Sequence, residues 1–290
     1  MKNLDDPSWA IQLQCPQCAA PVTLEEADRI LSCAYCRVRL LLSYPGYPRY
    51  YLDPYQDPQP AHEFIYLPYW RFKGIAFASL QSGLEARAVD ATFLAAKIPF
   101  LPITLGLQAR AFKLRFFSLQ KKGKFIKPQI QSEYFFNSLR EGQDPFLESE
   151  GAPSSYHQSL IGESVSLVYA PIFLKEGLVY DGLGNRLLEK AGRSDVEKLP
   201  AHNLEEPWQV EFIPVLCPYC GADLQGERDT QVLLCRNCDR VWEFFQGGLK
   251  KADFGIMEVE EKQSPYFIPF WRIKGRIDGW PGQVHPQRYL

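Results

Sequence analysis

Eight cysteines fall into four Cys-x-x-Cys pairs, and the pairs fall into two quartets of one spacing. Cys15-Pro16-Gln17-Cys18 is followed after fourteen residues by Cys33-Ala34-Tyr35-Cys36. Cys217-Pro218-Tyr219-Cys220 is followed, again after fourteen, by Cys235-Arg236-Asn237-Cys238. A Cys-x-x-Cys turn presents two thiolates to one point, and its backbone amides can donate hydrogen bonds to the sulfurs. Two such knuckles joined by a short hairpin complete the tetrahedral set of soft ligands that Zn2+ takes. Two complete quartets at one spacing argue against chance pairs and against isolated redox pairs. The expectation is two structural Zn2+ ions.

Gly221, just after Cys220, supplies the permissive backbone that such a knuckle favours, and Ala19 at the matching place departs from it. Four cysteines close the metal's coordination shell, whereas a catalytic zinc keeps one position for water. The four histidines, His62, His157, His202 and His285, are scattered singly and read as surface or hydrogen-bonded residues.

In these quartets the chain resembles the zinc-ribbon superfamily, as found in transcription factor IIB, RNA polymerase subunits and many bacterial proteins of unassigned role. The resemblance covers about 25 residues per copy. It implies three-stranded β-ribbons, with Cys15, Cys18, Cys33 and Cys36 on one metal and Cys217, Cys220, Cys235 and Cys238 on the other. It does not imply transcription, because ribbons serve both as binding platforms and as structural staples. Rubredoxins cradle iron with similar knuckles, but their pairs stand much further apart, which weighs against electron transfer.

The duplication extends past the cysteines. Ile65-Tyr66-Leu67-Pro68-Tyr69-Trp70-Arg71-Phe72-Lys73-Gly74 matches Tyr266-Phe267-Ile268-Pro269-Phe270-Trp271-Arg272-Ile273-Lys274-Gly275. The cysteines repeat at an offset of 202 and this motif at 201, so one single-residue indel separates the copies. A degenerate third copy runs Val168-Tyr169-Ala170-Pro171-Ile172-Phe173, with Gly177 six places after its proline, as Gly74 and Gly275 are after theirs. Alternation of Trp70 and Phe72 with Arg71 and Lys73 predicts a half-buried strand. The proline marks a strand start, edge or bulge. Three equivalent strands packing one core is the favoured reading. The sharper one places Arg71, Lys73, Arg272 and Lys274 on an exposed face that holds an anion.

Between the copies, the alternating run Ala109 to Phe116 within Ile103 to Phe117, and Ser164 to Leu174 and Leu178 to Asp181, read as strands, with a hairpin turn at Lys175-Glu176-Gly177. Ser132 to Arg140 and Asn185 to Lys198 read as short helices. Tyr44 to Pro60 and the acidic Glu141 to Ser155 read as arms or surface loops. Thr23 and Glu26 match a helix capping box, but a hairpin turn through Glu25-Glu26-Ala27-Asp28 fits the gap between knuckles better.

The formal charge of −2, taken to about −6 by two zinc sites of four thiolates each, argues against a generic polyanion binder. One local exception stands out. Arg110, Lys113, Arg115, Lys121, Lys122, Lys124 and Lys127 contain no acid among them and interleave with Phe112, Phe116, Phe117 and Phe125. Cations neutralise phosphates and aromatic rings stack on unpaired bases, so this run is the candidate nucleic-acid contact. The plainer reading, given more weight, is a β-hairpin with a lysine-rich turn at Gly123 and its phenylalanines in the core. Lysines on an exposed edge also discourage edge-to-edge pairing.

No P-loop, G-x-G-x-x-G after a strand, H-E-x-x-H or G-x-S-x-G is present, so no reaction or small-molecule substrate is indicated. The opening residues, Met1 to Pro7, lack an apolar segment, and the most apolar window, Ala91 to Leu107, is broken by Lys97, Pro99 and Pro102. Paired cysteines without a signal peptide read as metal ligands in a reducing compartment, so the expected location is cytoplasmic.

The expected architecture is mostly β, with two four-cysteine zinc ribbons attached to a β-rich body that carries the duplicated proline–aromatic strand motif. The expected divisions are ribbon 1 at 1–44, a central β-rich domain at 45–205, ribbon 2 at 206–250 and a C-terminal segment at 251–290 packed on the central domain. The central domain holds the motif copies at 65–74 and 168–177, and the C-terminal segment holds the copy at 266–275. The expected role is a non-enzymatic zinc-binding adaptor that holds a protein partner, with nucleic-acid binding as the alternative.

Overall fold

The computed structural model describes residues 10–54, 63–80, 83–98, 101–106, 113–118, 121–135, 157–198, 200–201, 208–245, 247–256 and 270. By its contacts the chain divides into two units, Met1–Ala252 and Asp253–Leu290. Of the second, residues 253–256 and Phe270 are described. The second copy of the strand motif, Phe270 apart, therefore lies outside the described residues, as does the acidic stretch from Glu141 to Ser155.

The fold is mostly β. β1 (Ile11–Gln14) and β2 (Pro21–Leu24) flank the first knuckle, and β3 (Ile30–Ser32) and β4 (Arg39–Ser43) flank the second. β5 (Arg49–Leu52) lies within the stretch read as an arm, and is followed by the long strands β6 (Phe64–Leu80) and β7 (Gly83–Leu94). Short β8 (Leu114–Phe116) and β9 (Lys124–Phe125) precede β10 (His157–Lys175), β11 (Leu178–Asp181), β12 (Arg186–Gly192) and α1 (Arg193–Glu197). The second quartet is framed by β13 (Glu211–Pro214), β14 (Val232–Cys235), β15 (Arg240–Phe245) and β16 (Gly248–Ala252).

The main sheet runs β12-β11-β10-β5-β8-β1-β2, with β6 against the other side of β10 and β7 and β9 beyond β6. Its spine is the antiparallel β6–β10 pair. The two proline–aromatic copies meet there: Tyr66 faces Pro171, Leu67 faces Ala170 and Pro68 faces Tyr169. Each copy is thus paired with the other in a register symmetric about Leu67 and Ala170.

This pairing explains prolines inside central strands, where a missing donor is ordinarily costly. On the outer side of β6, β9 pairs up to Tyr66 and β7 begins at Tyr69. On the outer side of β10, β5 pairs up to Tyr169 and β11 begins at Ile172. Each proline sits where the outer neighbour changes, so no ladder donor is required of it. Its carbonyl is still used: Pro68 accepts from Ala95 N and Pro171 from Gly182 N, both at 2.8 Å.

Other expectations fare unevenly. The hairpin between β10 and β11 turns at Glu176 and Gly177, both at positive φ (53° and 81°), as a two-residue hairpin loop requires. Arg186 to Gly192 is a strand, not a helix, because its backbone pairs with β11; the helical turn is confined to α1. Residues 132–135 are helical, and the rest of that expected helix lies outside the described residues. The expected hairpin around Gly123 does not form: β8 pairs with β5 and β1, and β9 runs parallel to β6. Of the expected strand from Ala109 to Phe116, Leu114–Phe116 is strand β8, and 109–112 lie outside the described residues.

Two clusters fill the body. One is aliphatic, around Ile11, Leu52, Leu67, Val168 and Ile172. The other is aromatic, with Tyr66 stacked on Phe125 at 4.4 Å and Trp70, Phe72, Phe93, Phe135 and Trp208 around them. The Trp70 indole N–H donates to Ile130 O at 2.7 Å, and that of Trp208 to Pro45 O at 3.0 Å.

Candidate metal centres

Each knuckle is built the same way. The residue after the second cysteine takes a left-handed backbone: Ala19 (φ 56°), Arg37 (61°), Gly221 (74°) and Asp239 (52°). That conformation turns its N–H back to the first cysteine of the pair, as in Ala19 N to Cys15 O (2.8 Å), Arg37 N to Cys33 O (2.9 Å) and Gly221 N to Cys217 O (2.9 Å). Ala19 thus adopts the backbone that Gly221 adopts, at the steric cost a Cβ brings.

The knuckles close into two cages. The four Sγ atoms of Cys15, Cys18, Cys33 and Cys36 lie within 4.8 Å of one another, as do those of Cys217, Cys220, Cys235 and Cys238. Across the first cage Cys15 and Cys36 stand 3.7 Å apart and Cys18 and Cys33 3.6 Å; across the second the distances are 3.7 Å and 3.4 Å. These are far too long for a disulfide, which needs about 2.05 Å. They approach the sulfur–sulfur edge of about 3.8 Å that a tetrahedral Zn–S length of about 2.3 Å demands. Four thiolates at that spacing suit a soft, tetrahedral cation, and the donor set fits a metal.

Backbone donors favour the thiolate form. The Cys36 N–H draws the Cys33 thiol down to about 6, with help from Tyr35 N–H and the Cys18 thiol and against burial. In the second cage the Asn237 side chain and Ala222 N–H draw Cys220 down to about 6. Cys235 is pushed up to about 12 by burial and by Cys220.

Comparison of the chain with protein-family models, curated proteins and solved structures found no match.

The two cysteine modules are docked on each other. β13, which leads into the second quartet, pairs with β4 of the first module to give a sheet ordered β13-β4-β3. Ile30 and Leu41 of the first module share one buried cluster with Val215, Cys217, Leu224, Leu233, Cys235 and Trp242 of the second. The Arg39 guanidinium donates to Leu224 O (2.9 Å) and Gly226 O (2.6 Å). In return Arg228 O accepts from the N–H groups of Arg29 and Ile30, and its guanidinium pairs with Asp28. Ser43 Oγ donates to Gly247 O at 2.6 Å. Within the second module a Cβ at Gly226 would lie 2.6 Å from Leu233 Cδ2, so a larger residue there must displace that buried side chain.

The first module is also tied to the body. Its inter-knuckle turn is closed by Asp28 N to Glu25 O and by Glu25 N to the Asp28 carboxylate, but it is not the expected hairpin: β2 pairs with β1 and β3 with β4, so the turn links two sheets. The turn delivers Glu26 onto Arg71, whose guanidinium also donates to Asp90 at 2.8 Å, while Ser166 Oγ donates to Glu26 at 3.2 Å. The Arg71 and Glu26 side chains are 2% and 5% exposed. Burial raises the Glu26 carboxyl above its ordinary range by more than the Arg71 guanidinium lowers it.

This overturns the exposed-face reading of Arg71. The strand alternates, but the ribbon turn covers the face that alternation would leave in water, so the anion that Arg71 holds is internal. Asp90 and Ser166 carried no motif that marked them, and Glu26 was marked only by the capping-box match and the turn at Glu25 to Asp28, neither of which pairs it with Arg71.

The basic run spans β8, β9 and the segment between them, and its cations differ in exposure and in partners. Lys113, Arg115, Lys122 and Lys127 are exposed, Lys121 and Lys124 are half-buried, and Arg110 lies outside the described residues. Asp53 pairs with Arg115 and, at 2.9 Å, with Lys121, while Lys124 donates to Glu197 O. Phe117 and Phe125 are buried in the aromatic cluster. Among the described residues no helix is long and apolar enough to cross a membrane.

Proposed function

We propose that the chain is a non-enzymatic adaptor whose two cages hold structural Zn2+ and whose docked ribbon pair forms a platform for a protein partner in the cytoplasm. The observation that carries the reading is the fusion of two closed four-thiolate cages through one buried cluster. All four ligand positions at each cage come from cysteine, leaving none for substrate or water. The fused pair turns aromatic rings outward beside the metals. Tyr35 is 71% exposed on one knuckle, and Tyr219 is 65% exposed on another, with the Arg240 guanidinium 3.3 Å from its ring centre. Tyrosine and arginine, with tryptophan, are enriched at the energetic centres of protein interfaces.

The test measures metal content of the purified chain by mass spectrometry, then compares partner capture by wild type and a Tyr35→Ser/Tyr219→Ser double variant. Two zinc ions per chain and a stoichiometric partner lost in the variant are the expected results. Sub-stoichiometric zinc, or capture indifferent to both tyrosines, would overturn the reading.

A nucleic-acid role draws on the exposed Lys113, Lys122 and Lys127, but the buried Phe117 and Phe125 take two of its stacking rings away. That role predicts binding that weakens steeply with salt and with Lys121, Lys122 and Lys124 replaced by glutamate. Fluorescence anisotropy against single- and double-stranded DNA and RNA decides between them.

A further inference from the structure

β7 has β6 on one side and, among the described residues, no strand on the other. Its second half is buried in the body, but Gly83, Leu84, Glu85, Ala86, Arg87 and Ala88 are all exposed. Six consecutive exposed positions on a strand mean that both faces are open there, since side chains alternate. Leu84 is 73% exposed, and Ile75, which faces Ala88 from β6, is 46% exposed. The end of the β6–β7 hairpin thus carries apolar groups on an edge whose backbone is a template for another strand.

The residues along this edge select the strand that fits. Glu85 and Arg87 are two apart and share a face. When a second copy of β7 runs antiparallel alongside with the same face up, paired residues must have numbers of the same parity. Pairing Ala86 with Ala86 places Glu85 of each copy opposite Arg87 of the other, and Leu84 opposite Ala88. The neighbouring registers on either side set Glu85 against Glu85 or Arg87 against Arg87. Opposite charges directly across a ladder stabilise it and like charges destabilise it, so the edge is complementary to itself in one register. We propose that residues 83–89 of β7 form a self-association edge, through which two copies of the chain join in a closed, two-fold symmetric dimer with a continuous sheet.

The experiment is sedimentation velocity on the full zinc-loaded chain over a concentration series, with Glu85→Arg, Arg87→Glu and the double reversal. Wild type is expected to dimerise. Each single reversal places like charges opposite one another twice per dimer and is expected to weaken dimerisation about tenfold. The double reversal restores the complementarity and is expected to return to within about threefold of wild type. Both side chains are exposed, so zinc content should be unchanged in all three variants. Wild type remaining monomeric, a dimer indifferent to every reversal, or a double reversal no better than the single ones would each overturn the proposal.

Discussion

Leu67 and Ala170 face each other at the point of the β6–β10 ladder about which the proline–aromatic motif is paired with its own degenerate copy running the other way. The consequence falls on Pro68 and Pro171, both buried, each placed where the outer neighbour of its strand changes. Pro171→Ala adds an N–H at such a break, where no strand offers a carbonyl. A buried donor left unmet costs about 1–3 kcal/mol, and the unfolded chain also regains freedom. Urea denaturation should show P171A destabilised by that order, whereas an alanine at an exposed loop proline should cost far less.

The docked cysteine modules make the two cages interdependent. Cys217→Ser removes one ligand and loosens the cluster that also holds Ile30 and Leu41. The expected outcome is a second cysteine module open to protease, and faster release of metal to a chelator from the intact first cage as well. Arg39→Ala, which removes two hydrogen bonds to the other ribbon without touching a ligand, should leave metal content unchanged but speed release from both. Unchanged protease resistance and release kinetics in C217S would refute the coupling.

Ala19 and Gly221 occupy the same left-handed place in their knuckles. A Cβ at Gly221 would meet nothing within 4 Å, so Gly221→Ala isolates the backbone penalty, about 1 kcal/mol. The reverse change, Ala19→Gly, should be neutral or stabilising by up to a similar amount. Opposite signs in thermal melts of the zinc-loaded variants are the expected pattern.

Glu26 and Arg71 predict a pH dependence. Burial raises the Glu26 carboxyl above its ordinary 4.5, so the folded chain holds that proton more tightly than the unfolded one. Stability from this group is therefore fully present below the ordinary carboxylate range and is lost as pH rises through the raised value. Glu26→Gln carries no charge at any pH and escapes that loss. The stability of wild type relative to E26Q should fall as pH rises above the ordinary carboxylate range in urea titrations at saturating zinc. A gap constant with pH would show that the carboxyl is not shifted. Arg71→Ala strands a buried carboxylate and should cost about 3–5 kcal/mol.

What was legible in the chain is what local chemistry dictates. The cages follow from ligand type and spacing, and the hairpin at Glu176-Gly177 and the motif strands follow from turn residues and period-two patterning. What was not legible depends on partners remote in the chain. The alternation at Arg71 says that two faces differ, but not that a turn 45 residues away covers the charged one. Arg186 to Gly192, with leucines, glutamate, lysine and alanine, suits a helix until β11 offers a ladder. The basic run looks continuous in one dimension, yet β8 and β9 leave it for different neighbours. The docking of the two cysteine modules had no local mark at all, because Arg39 and Gly226 acquire their meaning only when they meet.

That meeting has a cost in time during synthesis. Ser43 and Gly247, joined across the ribbon interface, are 204 residues apart. At translation rates of about 5–20 residues per second, the first ribbon leaves the ribosome about 10–40 s before its cover exists. Through that interval Ile30 and Leu41 have no apolar partner from the second ribbon. Early metal capture would hold the nascent ribbon in shape without hiding that surface, which leaves a window in which a chaperone, or another nascent copy, competes for the place its own second ribbon will take.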